Sequence, residues 1–128
     1  MALLEEKLYT RLSTDTAVKV LVGTRIYPLA APQDAAMPNI AYQRISGVPG
    51  IAHTGTSHME RVRIQLTCMA VTYAGAKALA AAVKTSLHGW KSLTDEVGCS
   101  FIENERDDYS QAFVASVVRL DAIMWYSG

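Results

Sequence analysis

The chain has few cysteines, no excess of either charge and no long apolar run, and each shortage removes a class of protein. Two cysteines, Cys68 and Cys99, are too few for a disulfide framework. Both stand in apolar, strand-like surroundings, which predicts two reduced and largely buried thiols in a chain made in a reducing cytoplasm. No stretch reaches the ~18–20 apolar residues of a membrane span, so no membrane partner is expected. Met1-Ala2-Leu3-Leu4-Glu5-Glu6-Lys7 carries acids where a signal peptide carries bases, and the expectation is a soluble chain not exported by that route. Twelve basic and twelve acidic residues cancel, so there is no overall pull towards DNA or acidic membranes.

Catalytic signatures are missing as well. No serine lies in a Gly-x-Ser-x-Gly elbow, and no glycine-rich loop with a following lysine cradles a phosphate. His53 and His58 have no cysteine or carboxylate at ligand spacing and are read as solvated loop residues. The run Glu103-Asn104-Glu105-Arg106-Asp107-Asp108 lacks calcium-loop spacing and reads as a solvated strand end and turn. Catalytic residues, metal and cofactor are therefore all expected to be none, and the functional surface is expected to bind protein.

Half of the 128 residues are hydrophobic, enough for one core in a single domain, residues 1–128. Leu4, Leu8 and Leu12 recur every fourth residue and predict an amphipathic helix over 2–12. Ser13, Thr14 and Asp15 offer cap oxygens for a second helix, carrying Ala17, Val18, Leu21 and Val22 and stopped by Gly23. A short strand at 24–27 and another at 39–46 flank an eleven-residue connection, Pro28 to Pro38, held by three prolines. Residues 46–58, with three glycines and a proline, read as a long mobile hairpin loop.

Period two is clearest at 59–69, where Val62, Ile64, Leu66 and Cys68 alternate with Arg61, Arg63, Gln65 and Thr67. Thr72 caps a long helix over 73–88, with a buried stripe of Ala76, Leu79, Ala80, Val83 and Leu87 and with Lys77, Lys84 and His88 on the wet side. Strands at 98–106 and 112–126 follow, joined by a turn at 107–110. In the last strand Val114, Val118, Leu120, Ala122 and Met124 share a face. The order is α-α-β-β-β-α-β-β, an α+β domain with a mainly antiparallel sheet and the helices on one face. Arg61 and Arg63 share a strand face, suited either to a contact surface or to pairing with Glu103 or Glu105. Trp125 and Tyr126 fit an oligomer anchor or an ordinary aromatic core equally well.

The chain resembles the tail-completion proteins of tailed bacteriophages, the small tail-terminator type of phages with long non-contractile tails. The resemblance runs from Leu8 to Trp125. It is carried by Gly23-Thr24-Arg25-Ile26-Tyr27-Pro28, by Ala31-Pro32-Gln33-Asp34 with Pro38, by Arg61-Val62-Arg63-Ile64-Gln65-Leu66, and by Arg119-Leu120-Asp121-Ala122-Ile123-Met124-Trp125. It implies a subunit of a ring, generally hexameric, that caps the tail tube and offers a surface to the head connector. Self, the major tail tube protein and the connector proteins are the implied partners. DNA passes through such a ring without being read, and the implied location is the head-proximal end of the tail, after assembly in the host cytoplasm.

Length and composition make residues 28–38 and 46–58 the expected contact segments. Pro32, Gln33, Asp34, Val48, Pro49, Ile51 and His53 are their candidate contact residues, with Arg61 and Arg63 beside them. Three rival readings stand next to the ring: a tail-tube or connector protein of the same module, a small enzyme with a pocket the sequence does not display, and a host-directed binding module.

Overall fold

A computed structural model of the protein describes residues 4–32, 34–52, 55–92, 97–111 and 114–126. Three helices and five strands follow one another in the expected order: α1 (Leu4–Thr14), α2 (Thr16–Val22), β1 (Ile26–Pro28), β2 (Asn39–Ala52), β3 (Gly55–Ala70), α3 (Tyr73–Leu87), β4 (Val97–Ser110) and β5 (Ala115–Tyr126). The strands form one sheet in the order β1-β2-β3-β5-β4. Every neighbouring pair is antiparallel except β1 and β2, which run parallel, so the sheet is mixed. The helix expected to be long, α3, has 15 residues and is of ordinary length.

Local chemistry explains where the helices begin and end. Asp15 accepts from the backbone N–H groups of Ala17 and Val18 and starts α2. Gly23 ends it at φ 59°, a conformation that costs a glycine little. Thr72 takes the N–H of Gly75 at 3.0 Å and starts α3. Arg25 then ties two segments together. Its Nε donates to the carbonyl of Pro38 at 2.9 Å and its Nη2 to the carbonyl of Leu21 at 3.1 Å. The start of β2 is thereby held beside the end of α2.

All three helices bury against the same face of the sheet. Leu4, Leu8 and Leu12 from α1, Val18 and Val22 from α2, and the α3 stripe share one cluster with Ile40, Val62, Ile64, Leu66, Cys68, Leu120, Ala122 and Met124. Each fully buried leucine of this layer stabilises the fold by roughly 1.5–3 kcal/mol. Tyr126 belongs to the same core, whereas Trp125 lies on the opposite side of the sheet and is half-buried.

Several expectations need correction. Residues 46–58 are not a loop along their described length: β2 and β3 keep pairing through Val48↔Arg61, Pro49↔Glu60, Ile51↔Thr56 and Ala52↔Gly55. Two register shifts, between Arg44 and Ser46 and between Pro49 and Ile51, let a glycine- and proline-containing segment stay in the ladder. Residues 107–110 are strand and not turn, because Asp107, Asp108, Tyr109 and Ser110 find partners in Val118, Val117, Ser116 and Ala115. Val114 therefore lies outside the strand, exposed, with φ 51°. Cys99 is exposed while Cys68 is buried, since Cys99 is opposite Trp125, on the face that the helices leave bare.

The acidic run is also not solvated throughout. Edge strand β4 passes beside α3, so alternate side chains meet the helix. Lys77 reaches Glu105 at 2.7 Å and Asp107 at 2.8 Å, Lys84 reaches Glu105 at 2.6 Å, and the Tyr73 hydroxyl donates to Asp107 at 2.6 Å. The two lysines that periodicity assigned to the wet side are the bolts between helix and strand.

This network sets a pH dependence. The ammonium groups of Lys77 and Lys84 hold Glu105 below its ordinary value, and Lys77 with the Tyr73 hydroxyl does the same for Asp107. A lowered carboxylate value stabilises the fold fully above the ordinary 4.5 of Glu105 and ceases to do so as pH falls through the lower folded value. Between about pH 5 and about pH 3, Glu105→Gln should lose less stability than the wild type in urea titrations. The difference will be small for partly exposed pairs, and equal slopes would contradict the network. Thiol chemistry offers a second check. Burial pushes the Cys68 thiol up to about 12, so it is neither ionised nor reachable. Native protein should release one equivalent of colour with an aromatic disulfide reagent, and Cys99→Ser should abolish it.

Candidate interaction surfaces

With the helices on one side, the other face of the sheet is left bare. It carries Asn39, Ala41 and Gln43 from β2, Arg61, Arg63, Gln65, Thr67 and Met69 from β3, and Arg119, Asp121, Ile123 and Trp125 from β5. Asn104 and Arg106 complete it on β4, as the registers Arg63↔Ile123, Asn104↔Asp121 and Arg106↔Arg119 dictate. A face exposed to water would be uniformly polar, yet this one buries Ile123 completely and leaves Asp121 only 6% exposed.

Its centre is charged. Arg63 donates to Glu103 at 3.1 Å and to Asp121 at 3.4 Å, and Asn104 donates to Asp121 at 3.4 Å. Arg119 pairs with Asp108. Of the two partners expected for the arginines, Glu103 is the one found. Glu105 faces α3, because the register shift between Ile102 and Asn104 turns its parity over. A shallow depression of about 400 Å³ lies here, lined by Ile45, Arg63, Gln65, Asn104, Arg106 and Asp121.

A second depression, about 250 Å³, lies nearer the β1 end of the face and is mostly uncharged, lined among others by Leu29, Ala31, Ala41, Gln43, Thr67 and Met69. The connection from β1 to β2 forms its rim. That connection is pinned by Leu29 N–H to the Tyr42 carbonyl at 2.7 Å and by Ala35 N–H to the Pro32 carbonyl at 3.0 Å. Pro32 and Asp34 are exposed on it, and Gln33 lies outside the described residues. Met37 turns inwards onto a small cluster of Met69, Ala115 and Val117.

The third surface is the far end of the β2–β3 hairpin. Among the described residues, β5 first pairs with β3 at Glu60↔Tyr126, and β1 pairs with β2 only at residues 40–42. Beyond those points the hairpin is a bare two-stranded arm. Val48, Pro49 and Ile51 lie in it, Val48 directly opposite Arg61, while His53 lies outside the described residues. Pro49 is tolerated because the outer edge of β2 has no partner strand there. The two expected contact segments are thus not brought together: they stand at opposite ends of β2, which as a strand of 14 residues spans roughly 40 Å.

Arg61 and Arg63 share the strand face that alternation gives them, whereas sequence reasoning did not single out Asp121, Asn104 or Asn39. Alternation puts Asp121 on the bare face; its burial depends on neighbours from β3 and β4 that no local pattern reveals. Among the described residues, no group of three or more His, Cys, Asp or Glu could hold a metal ion, and no helix is long and apolar enough to cross a membrane.

Comparison with known proteins now bears on this geometry. No curated protein matches the chain. A solved chain from a structure described as "Virion of native gene transfer agent (GTA) particle" superposes with a TM-score of 0.69 at 20% identity, covering 94% of this chain and 92% of that one. At that identity the likeness is one of fold. The family model for "Tail completion protein gp17" matches residues 6–124, nearly the full length. The chain therefore belongs to the tail completion protein gp17 family and has a structural role in a phage tail.

Proposed function

We propose that the protein assembles into a closed hexameric ring on the last tier of a long, non-contractile tail tube. There it ends tube growth and presents the surface to which the head connector joins. The observation that carries this reading is the bare arm formed by the ends of β2 and β3. A two-stranded ribbon by itself is marginal in water, so a subunit that extends one needs a neighbour to cover it. The unpaired outer edge of β2 makes the same demand, because its N–H and C=O groups lack ladder partners.

A ring also needs two unlike surfaces on each subunit, since head-to-tail contacts close only by rotation. The arm and the bare sheet face supply unlike surfaces. The ion pairs at the centre of the face give it a fixed register for a partner while leaving net charge near zero, which suits a ring through which DNA moves without being gripped. The tail tube protein and the connector proteins are the partners on the two ends of the ring. The place of action is the head-proximal end of the tail, and ring formation belongs to the host cytoplasm.

Removing residues 50–57 tests the reading. The shortened chain should keep its helices and its cooperative unfolding, because the core lies elsewhere. It should sediment as a single subunit where the intact chain, concentrated or added to tube tips, forms rings visible in negative stain. Tails assembled with it should overrun their length or fail to join heads. Tails of normal length that join heads would sink the proposed role of the arm. Filament growth by the intact protein alone would favour a tube protein instead.

A further inference from the structure

We infer that the uncharged depression at the β1 end of the bare face is the socket for the hairpin arm of a second copy of this chain. The inference rests on the ring reading above and names its subunit contact. Three observations carry it.

The first is chemical match. From Ile45 to Met59 the chain contains no Asp, Glu, Lys or Arg, so the whole arm is uncharged at neutral pH apart from its histidines. The depression is equally neutral: Arg119 is the single charged residue in its lining, and Arg119 is already paired with Asp108. A charged partner segment would lose hydration there without gaining an opposite charge; an uncharged arm would not.

The second is an unfilled hydrogen-bond acceptor. Asn39 lines the depression and is 1% exposed. Its Nδ2 donates to the Ala36 carbonyl at 3.0 Å, which fixes the amide orientation, and its Oδ1 has no donor. Buried side-chain oxygens are seldom left in that state. An arm carries donors in the backbone N–H groups of the β2 edge that β1 leaves unpartnered.

The third is strain on the rim. Leu29 has φ 67° and is 71% exposed. A large apolar side chain held out in water by a left-handed backbone is costly twice over, and such residues persist at contact sites. An arm seated in the depression would cover it. Position completes the case. Socket and arm occupy opposite ends of one strand, β2, so each contact uses two different surfaces, and the chain of contacts can close into a ring.

Disulfide trapping tests the docking in a full-length Cys99→Ser background. One preparation carries Ala31→Cys on the socket rim; others carry Val48→Cys or Ile51→Cys on the arm. Mixed and oxidised under conditions where rings are seen in negative stain, at least one arm variant should give covalent dimers with Ala31→Cys. The same arm variants should give none with Thr85→Cys on the exposed side of α3. Thr67→Arg, which fills the socket, should leave the far-UV spectrum and thermal midpoint unchanged and abolish rings. Rings without the socket dimer, arm-to-arm dimers alone, or rings that survive Thr67→Arg would overturn the docking and leave the ring standing. Absence of rings in every preparation, on tube tips as well as free, would overturn the ring and the docking together.

Discussion

One apolar layer between three helices and one face of the sheet holds the molecule together. Leucines at every fourth position of α1 and alternate residues of β3 and β5 meet in it, and no polar contact is needed to define it. Because that layer takes up the helices completely, the second face of a five-stranded sheet carries no helix among the described residues, and Met37 of the β1–β2 connection packs on its margin. A domain of this size ordinarily closes both faces or makes one of them plainly hydrophilic. This one does neither. Its bare face mixes a buried isoleucine, a nearly buried aspartate and a methionine cluster with arginines.

The consequence for function is a division of labour along the strands. The middle of the sheet supplies rigidity. The ends of β2 and β3 supply reach, since pairing continues past the last partner strand. The connection before β2 supplies a shaped rim, kept in place by the Arg25 guanidinium and the backbone bonds of Leu29 and Ala35.

How much of this was legible in the residues depended on the range of the signal. Leu4, Leu8 and Leu12, the caps at Asp15 and Thr72, and the alternation of Val62, Ile64, Leu66 and Cys68 are local, and each predicted its element. The arm was misread because Gly47, Pro49, Gly50 and Gly55 mark loops by local propensity, while a ladder of backbone hydrogen bonds with β3 overrides them. Residues 107–110 were misread for the same reason: Asp and Ser favour turns until β5 offers partners. The exposure of Cys99 and the orphaned Asn39 oxygen depend on which strand lies next to which. That was invisible to a reading of one stretch at a time. Lys77 and Lys84 do lie off the buried stripe, 36% and 40% exposed, but periodicity knows the helix and not the acidic strand they pair with.

Strand β4 ends the sheet; Ser92, Gly89 and His88 bond its outer edge at Val97, Ser100 and Ile102, and beyond them five of the residues at 103–108 carry charge. A strand arriving there would have to align against alternating carboxylates and a guanidinium, some of them already committed to α3 or β5. Such an edge resists joining. The opposite flank, where β2 runs on without β1, has no charge at all beyond Arg44. The subunit therefore has a direction built into its sheet: one margin is sealed and the other is open. Copies of a molecule with one sealed margin cannot add edge to edge without limit.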